Sequence, residues 1–342
     1  MSIKPLCKFL LLLTLSILFI SCTPVEVQPD ADVIVVGGGI AGLAAALEAA
    51  DQGASVLIIE ANSVGGGHAV KAGGFAMVDT ALQRSKGISD SADLAWRDLQ
   101  RWGEDADPYW TRRYVEESAT EVYDWLTDMG VQFSIVLDTP EDSVPRFHFT
   151  RGTAARVVIP MMRKALMNPR IAFQWNTRAS KLITSDNVIT GIETINERNG
   201  DRHKYLASAV ILATGGFQNN LEMVRTNWPE NQNEPDEIKL GAGHFATGDG
   251  YRLAEDAGAE LQRMDRQVTF FQGIPDPRDE NRARAIFGNN PAAIWVDDHG
   301  RRFVNESADS KTIEAAARTL EPMHFWMLFD SYGARKLNMR GT

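Results

Sequence analysis

At 342 residues the chain has room for one large domain and a smaller companion. Hydrophobic residues make up 44% and charged residues 23%, the balance of a globular protein able to bury a core. A formal charge of -10, with no basic run, excludes a phosphate-tracking surface, so no nucleic-acid partner is expected.

In chain order, residues 1–22 read as an export leader. Lys4 and Lys8 flank the start of FLLLLTLSILFI (9–20), which falls short of the roughly 20 apolar residues that span a bilayer. Phe19-Ile20-Ser21-Cys22 resembles a bacterial lipobox with Cys22 as the lipid acceptor; a plain secretory cleavage near Ser21 is the alternative. Either predicts an exported protein, and the first a lipid-anchored one at a membrane surface, on the periplasmic or cell-surface side. The other cysteine, Cys7, lies inside the leader, so a lipidated chain keeps no thiol for a disulfide or a metal. Residues 23–31, TPVEVQPDA, form a short tether.

The strongest signal is DVIVVGGGIAGLAAALEAADQGASVLIIE (32–60). Val33 to Val36 make a β-branched strand, and Gly37-x-Gly39-x-x-Gly42 turns it into an Ala-rich helix. Val56 to Ile59 make a second strand that ends at Glu60. Gly37 suits the tight turn, Gly39 lets backbone approach a pyrophosphate, and Gly42 lets helix and strand pack closely. The phosphates then meet the free N–H groups of a helix N-terminus, and Glu60 accepts from ribose hydroxyls. This predicts a dinucleotide site without choosing between NAD and FAD.

Further along, residues 109–130 carry apolar side chains at helical spacing up to Gly130. Thr153 to Met167 form another amphipathic helix. Ile171–Trp175, Ala179–Ile183 and Val188–Ile195 read as strands, Asn199-Gly200 as a hairpin turn, and Val210–Ala213 as a return to the parallel sheet.

Five further stretches share one resemblance: VGGGHAVKAGG (64–74), SVPRFHFTRGT (143–153), VILATGGFQNN (210–220), HFATGDGYRLAEDAGAEL (244–261) and AIWVDDHGRRFVNE (293–306). In this order they resemble the FAD enzymes of the fumarate reductase, succinate dehydrogenase and 3-ketosteroid dehydrogenase superfamily. The resemblance implies an α/β protein with a Rossmann-like FAD-binding domain at 32–264 and a partial α+β cap domain at 265–342. It implies cofactor contacts at Ala41, Gly67, His68, Ala69, Ala72 and Gly73 beside the glycine motif, and at Ala179, Gly215 and Asp249 farther on. His68 falls where succinate dehydrogenase-type enzymes bond covalently to the flavin; the alternative is a hydrogen bond to FAD phosphate or ribose. The family continues past the point where this chain stops, so a C-terminally truncated member is implied, with a compact complete enzyme as the alternative.

The implied chemistry is hydride transfer between flavin N5 and a C–C or C=C bond beside a carbonyl or carboxylate, with an external electron carrier. The sequence contains no CxxCH haem motif to supply electrons internally. Candidate catalytic residues are His148 and Arg151, for polarising a carbonyl or holding a carboxylate, and Arg302, Glu306 and Ser310 in the cap; for His148 the alternative is a partly buried histidine satisfied by backbone. Phe303 reads as packing and Glu306 as a clasp of the hairpin. Fumarate reductases place an arginine proton donor where Ser310 stands; a serine is a poor acid there, and a helix N-cap at Ser310 or a shift to Lys311 are the alternatives. Phe270 stands near the family's substrate-binding histidine. With Phe271 it predicts a partly apolar small-molecule substrate rather than fumarate. A non-catalytic or truncated flavin-binding lipoprotein is the competing reading.

Overall fold

The computed structural model describes residues 28–341 apart from 71–73, 153 and 242. The leader with Cys22, and the loop positions Ala72 and Gly73, therefore lie outside the described residues. β1 (Ala31–Val36) runs into the helix Ile40–Asp51 and returns as β2 (Val56–Ile59), which pairs parallel with β1 from Val33↔Val56 to Val36↔Ile59. β3 (Phe75–Ala76), β4 (Phe133–Leu137) and β5 (Phe147–Thr150) make a small sheet in the order β3-β5-β4. β6 (Ile171–Gln174), β7 (Thr177–Ser185), β8 (Val188–Asn196) and β9 (Arg202–Leu212) complete the main sheet, ordered β6-β2-β1-β9-β8-β7.

Alternation along β1 explains why its run is apolar throughout. Val35 joins one core with Leu43, Leu47, Ile58 and Met161, contributed by the sheet, the helix Ile40–Asp51 and the helix Ala155–Met167. Ile34 and Val36 point to the other face, against Leu57, Ile59, Ala179, Ile192 and Leu253. A parallel sheet covered on both faces needs apolar residues at every position, and 33–36 and 56–59 supply them.

Some predicted boundaries move. The expected short return strand at 210–213 is the end of the eleven-residue β9. Its first part pairs antiparallel with β8 from Arg202 to Leu206, and its second part pairs parallel with β1 from Ala207 to Leu212. The turn into β9 contains Gly200 at φ 78°, as a hairpin there requires. The helical run expected at 109–130 spans Pro108–Glu117 and Trp125–Asp128, with a π-helical stretch at Ser118–Asp124 between them. Ser118 faces inward at that stretch and its Oγ accepts from Val78 N–H (3.0 Å).

The C-terminal part holds β10 (Gly273–Pro275), β11 (Ala285–Asn289), β12 (Ile294–Val296), β13 (Trp326–Leu328) and β14 (Asn338–Gly341) in two small sheets. Its core is aromatic: Trp295 stacks on Phe325 at 4.6 Å, and Phe303 lies 5.6 Å from Phe325.

Candidate functional site

The end of β1 builds a cradle for a pyrophosphate. Gly37 adopts φ 108°, and a Cβ there would sit 2.3 Å from the Ala213 carbonyl oxygen. At Gly42 a Cβ would lie 1.8 Å from the Gly37 carbonyl oxygen, so helix and turn touch through backbone. Gly39 differs: nothing lies within 4 Å of where its Cβ would be. It caps the helix Ile40–Asp51 without a side-chain hydrogen bond, leaving first-turn N–H groups for an anion.

Glu60 closes the neighbouring edge. Its Oε2 accepts from Gly38 N–H (2.7 Å) and its Oε1 from Asn62 N–H (2.7 Å). Burial pushes its carboxyl above the usual range against those two donors. The glycine-rich loop crosses the motif, with Gly66 N–H donating to the Gly38 carbonyl (2.7 Å). These residues fit a dinucleotide: a helix end, an open Gly39 and a carboxylate one strand away are what its phosphates and ribose require.

The other predicted cofactor positions converge from separate segments. His68 is exposed and its Nδ1 accepts from Gly243 N–H (3.2 Å), joining the glycine-rich loop to the segment before the Thr-Gly-Asp-Gly turn. Gly215 follows the strand end at φ 78°, and Gly216 O accepts from Gly248 N–H (3.2 Å). Asp249 begins the helix Asp249–Asp256, and Arg178 and Arg252 both donate to its carboxylate. Ala41 and Ala69 lie beside the glycine motif and in the loop, and Ala179 is buried in β7. The sequence reading missed Arg178, whose partners Asp249 and Glu197 are 71 and 19 residues away.

The catalytic candidates divide. His148 is fully buried, its Nδ1 2.5 Å from the Arg146 carbonyl and its Nε2 2.7 Å from Thr80 Oγ1. Tyr123 and Phe133 pack against the ring. The carbonyl-polarising role expected of it is thus corrected: both ring nitrogens are engaged and no solvent reaches them. Arg151 stands exposed immediately after β5. Burial holds the His148 imidazole below its ordinary value of 6.5, against the opposing Arg146 carbonyl. The sign follows: the stability due to neutral His148 is complete above about pH 6.5 and declines as acid protonates the unfolded chain first. Chemical denaturation between about pH 7 and about pH 5.5 should show falling stability, and His148→Gln should flatten that slope.

In the C-terminal part, Glu306 Oε1 accepts from Trp295 N–H (2.7 Å) and from Arg302 Nε (3.1 Å), tying the hairpin across its width. Ser310 does not cap its helix. Asp309 does, accepting from Thr312 N–H (2.9 Å), while Ser310 is the first helical residue. Both Ser310 N–H and Oγ donate to Glu141 Oε1, at 2.9 and 2.7 Å.

A cluster of exposed charges links Glu104 and Asp105 to Arg263, Arg266 and Lys311. Lys311 Nζ and Arg266 Nη1 each lie 3.0 Å from Glu104, and Asp105 pairs with Arg266 and Arg263. Glu104 and Arg263 hold left-handed backbone at φ 53° and 58°. Such exposed pairs contribute little each and are screened by salt. Raising salt from about 0.05 to about 0.5 M should therefore lower the thermal midpoint slightly, and Glu104→Gln with Asp105→Asn should reduce that dependence by the share of this cluster.

Comparison with known proteins agrees with the cradle. A family model described as the FAD binding domain matches residues 32–340. A KsdD-like steroid dehydrogenase of Mycolicibacterium smegmatis is 34% identical over 312 residues, covering 80% of this chain and 56% of that protein. A fumarate reductase (cytochrome) of Shewanella frigidimarina is 31% identical over 314 residues, covering 90% of this chain and 53% of that protein. Among solved structures, the open conformation of a flavocytochrome c3 fumarate reductase superposes with a TM-score of 0.75 at 25% identity, over 90% of this chain and 54% of that one. The chain thus spans little more than half the length of these relatives. It belongs to the FAD-binding domain family, and FAD is the dinucleotide its cradle accommodates.

Proposed function

We propose that this FAD-binding chain acts in an oxidoreductase that moves hydride between flavin N5 and a C–C or C=C bond next to a carbonyl or carboxylate. The observation that carries the reading is the open backbone cradle at Gly39 beside Glu60, in a chain similar to steroid dehydrogenases and fumarate reductases alike. Bound FAD supplies the hydride-accepting or hydride-donating ring. First-turn N–H groups after Gly39 would hold the pyrophosphate, and Glu60 would take the ribose. The C-terminal hairpin, clasped by Glu306 and packed through Trp295, Phe303 and Phe325, would serve as the cap that keeps water from the reacting carbon.

A partly apolar substrate, of the steroid type rather than fumarate, is supported by Phe270, which is 70% exposed beside Phe287. The flavin-binding but non-catalytic reading draws its support from Ser310, whose hydroxyl is committed to Glu141 where a cationic donor would serve. Export and lipid anchoring at Cys22 rest on the leader sequence, and electrons would pass to an external carrier. Among the described residues no helix is long and apolar enough to cross a membrane.

The test is the absorbance of purified residues 23–342 before and after acid precipitation. Flavin bands at about 370 and 450 nm support the cofactor half of the proposal. Colour kept in the pellet would establish a covalent link and direct mutagenesis to His68. Dye-coupled turnover of a 3-oxo steroid but not of fumarate would support the substrate class. A flavin-loaded protein inert toward both would favour the non-catalytic reading.

A further inference from the structure

Asp249 has the position of a cofactor contact, yet its carboxylate is taken up within the protein. Arg178 Nη1 and Arg252 Nη2 donate to it, and Thr247 Oγ1 lies 3.0 Å from Oδ2. Arg178 is placed to pass that constraint on. It sits in β7 between Thr177, whose N–H donates to the Glu60 carbonyl (2.9 Å), and the buried Ala179. Its Nε reaches Glu197 Oε1 (2.8 Å), just past the end of β8, and its guanidinium lies 5.7 Å from the ring centre of Phe245. The positive charge also acts on Glu60, where it opposes the effect of burial.

We propose that Arg178 is a positioning residue for the adenosine end of the cofactor, acting through Asp249 and Glu60 rather than by contact with the flavin ring. The segment Phe245–Asp249 and the start of β7 come from distant parts of the chain, and Arg178 bridges them by charge beside the core that Ala179 and Leu253 share. Glu60 stands at the end of β2, where a dinucleotide fold receives the ribose of the adenosine half. The side chains of Arg178 and Asp249 are 28% and 18% exposed, so their contact through Nη1 is sheltered, while the guanidinium's fork, Nε and Nη2, lies on Glu197 at 2.8 and 3.4 Å and fixes its orientation. The proposal rests on the FAD reading and adds to it a residue that the glycine motifs do not include.

The experiment titrates the flavin-stripped full chain with FAD and FMN by flavin fluorescence and with ADP by calorimetry. Arg178→Gln should weaken FAD and ADP in parallel, by about tenfold. FMN, which lacks adenosine, should change by less than about twofold. Arg178→Lys should recover part of the loss, because it keeps the charge beside Asp249 but not the fork, and Asp249→Asn should reproduce the Arg178→Gln pattern. Equal weakening of all three ligands with a lowered thermal midpoint would reveal a merely structural role and overturn the proposal. Unchanged FAD and ADP affinities would overturn it too. A wild-type chain that binds neither FAD nor FMN would remove the cofactor reading, and this inference with it.

Discussion

Gly42→Ala should destabilise the fold by about 3 kcal/mol or more, whereas Gly39→Ala, three residues earlier, should spare the fold and weaken cofactor binding. At Gly42 the added methyl would lie 1.8 Å from the Gly37 carbonyl oxygen and 3.2 Å from Val35 Cγ1. Backbone of a tight turn stands on one side and the sheet core on the other, so neither can yield cheaply. At Gly39 the same methyl meets open space, and the backbone already sits at φ -76° and ψ -176°, which any residue adopts. The expected cost there is that of a poorer helix cap, within about 1 kcal/mol. Its methyl would, however, fill the room through which a pyrophosphate approaches the helix end, and FAD affinity should fall by about a hundredfold. Thermal unfolding of the flavin-free proteins and FAD titration separate the two effects. Similar stabilities for Gly39→Ala and Gly42→Ala would contradict this assignment of roles.

That contrast also marks what the letters alone could convey. The strand, glycines, helix, second strand and acid of 32–60 are contiguous, so period and turn chemistry suffice to place them. The residues that hold the site in shape are not contiguous. Arg146 reaches Asp90 and Asp98 across 56 and 48 residues, and His148 meets Thr80 across 68. Nothing in PRFHFTRG distinguishes a sealed histidine from one lining a pocket, because the deciding partner lies in another segment. Ser310 fails for a subtler reason. Asp309 and Ser310 are both good caps, and the choice turns on Asp309 reaching Thr312 while Ser310 is drawn to Glu141, 169 residues away. The long β9 was half visible: its apolar end resembles a buried parallel strand, while the polar start, DRHK, hides that the same strand continues outward to pair with β8.

Arg146→Met should be the most damaging change outside the glycine motif, costing about 3–5 kcal/mol. Arg146 is buried and faces three carboxylates: Nε and Nη2 fork onto Asp90 at 2.8 Å each, and Nη1 reaches Asp98 (2.6 Å) and Asp142 (3.0 Å). Its own protonation is beyond question, since these anions hold its pKa far above ordinary arginine against the cost of burial. Burial alone would raise the Asp98 carboxyl; hydrogen bonds from Ser143 and Arg146 outweigh it and hold it below the ordinary value. In the wild type Asp98 therefore stabilises the fold at neutral pH, and that contribution is lost as pH falls through its folded value. Methionine would leave Asp90 and Asp98 buried without their cation, held by Gln83 and the Ser91 N–H on Asp90 and by Ser143 on Asp98, so the Asp98 carboxyl would move upward instead. The variant should then gain stability as the pH falls from about 7 to about 5, where the wild type does not. The damage should also reach the cofactor. Arg146 O accepts from Met77 N–H (3.1 Å), and β5, beginning one residue later, pairs with β3 at the exit of the glycine-rich loop. Urea denaturation across that pH range tests both parts. A variant that loses stability on acidification as the wild type does would mean that the three carboxylates do not depend on Arg146, and that the exit of the loop is held by the sheet alone.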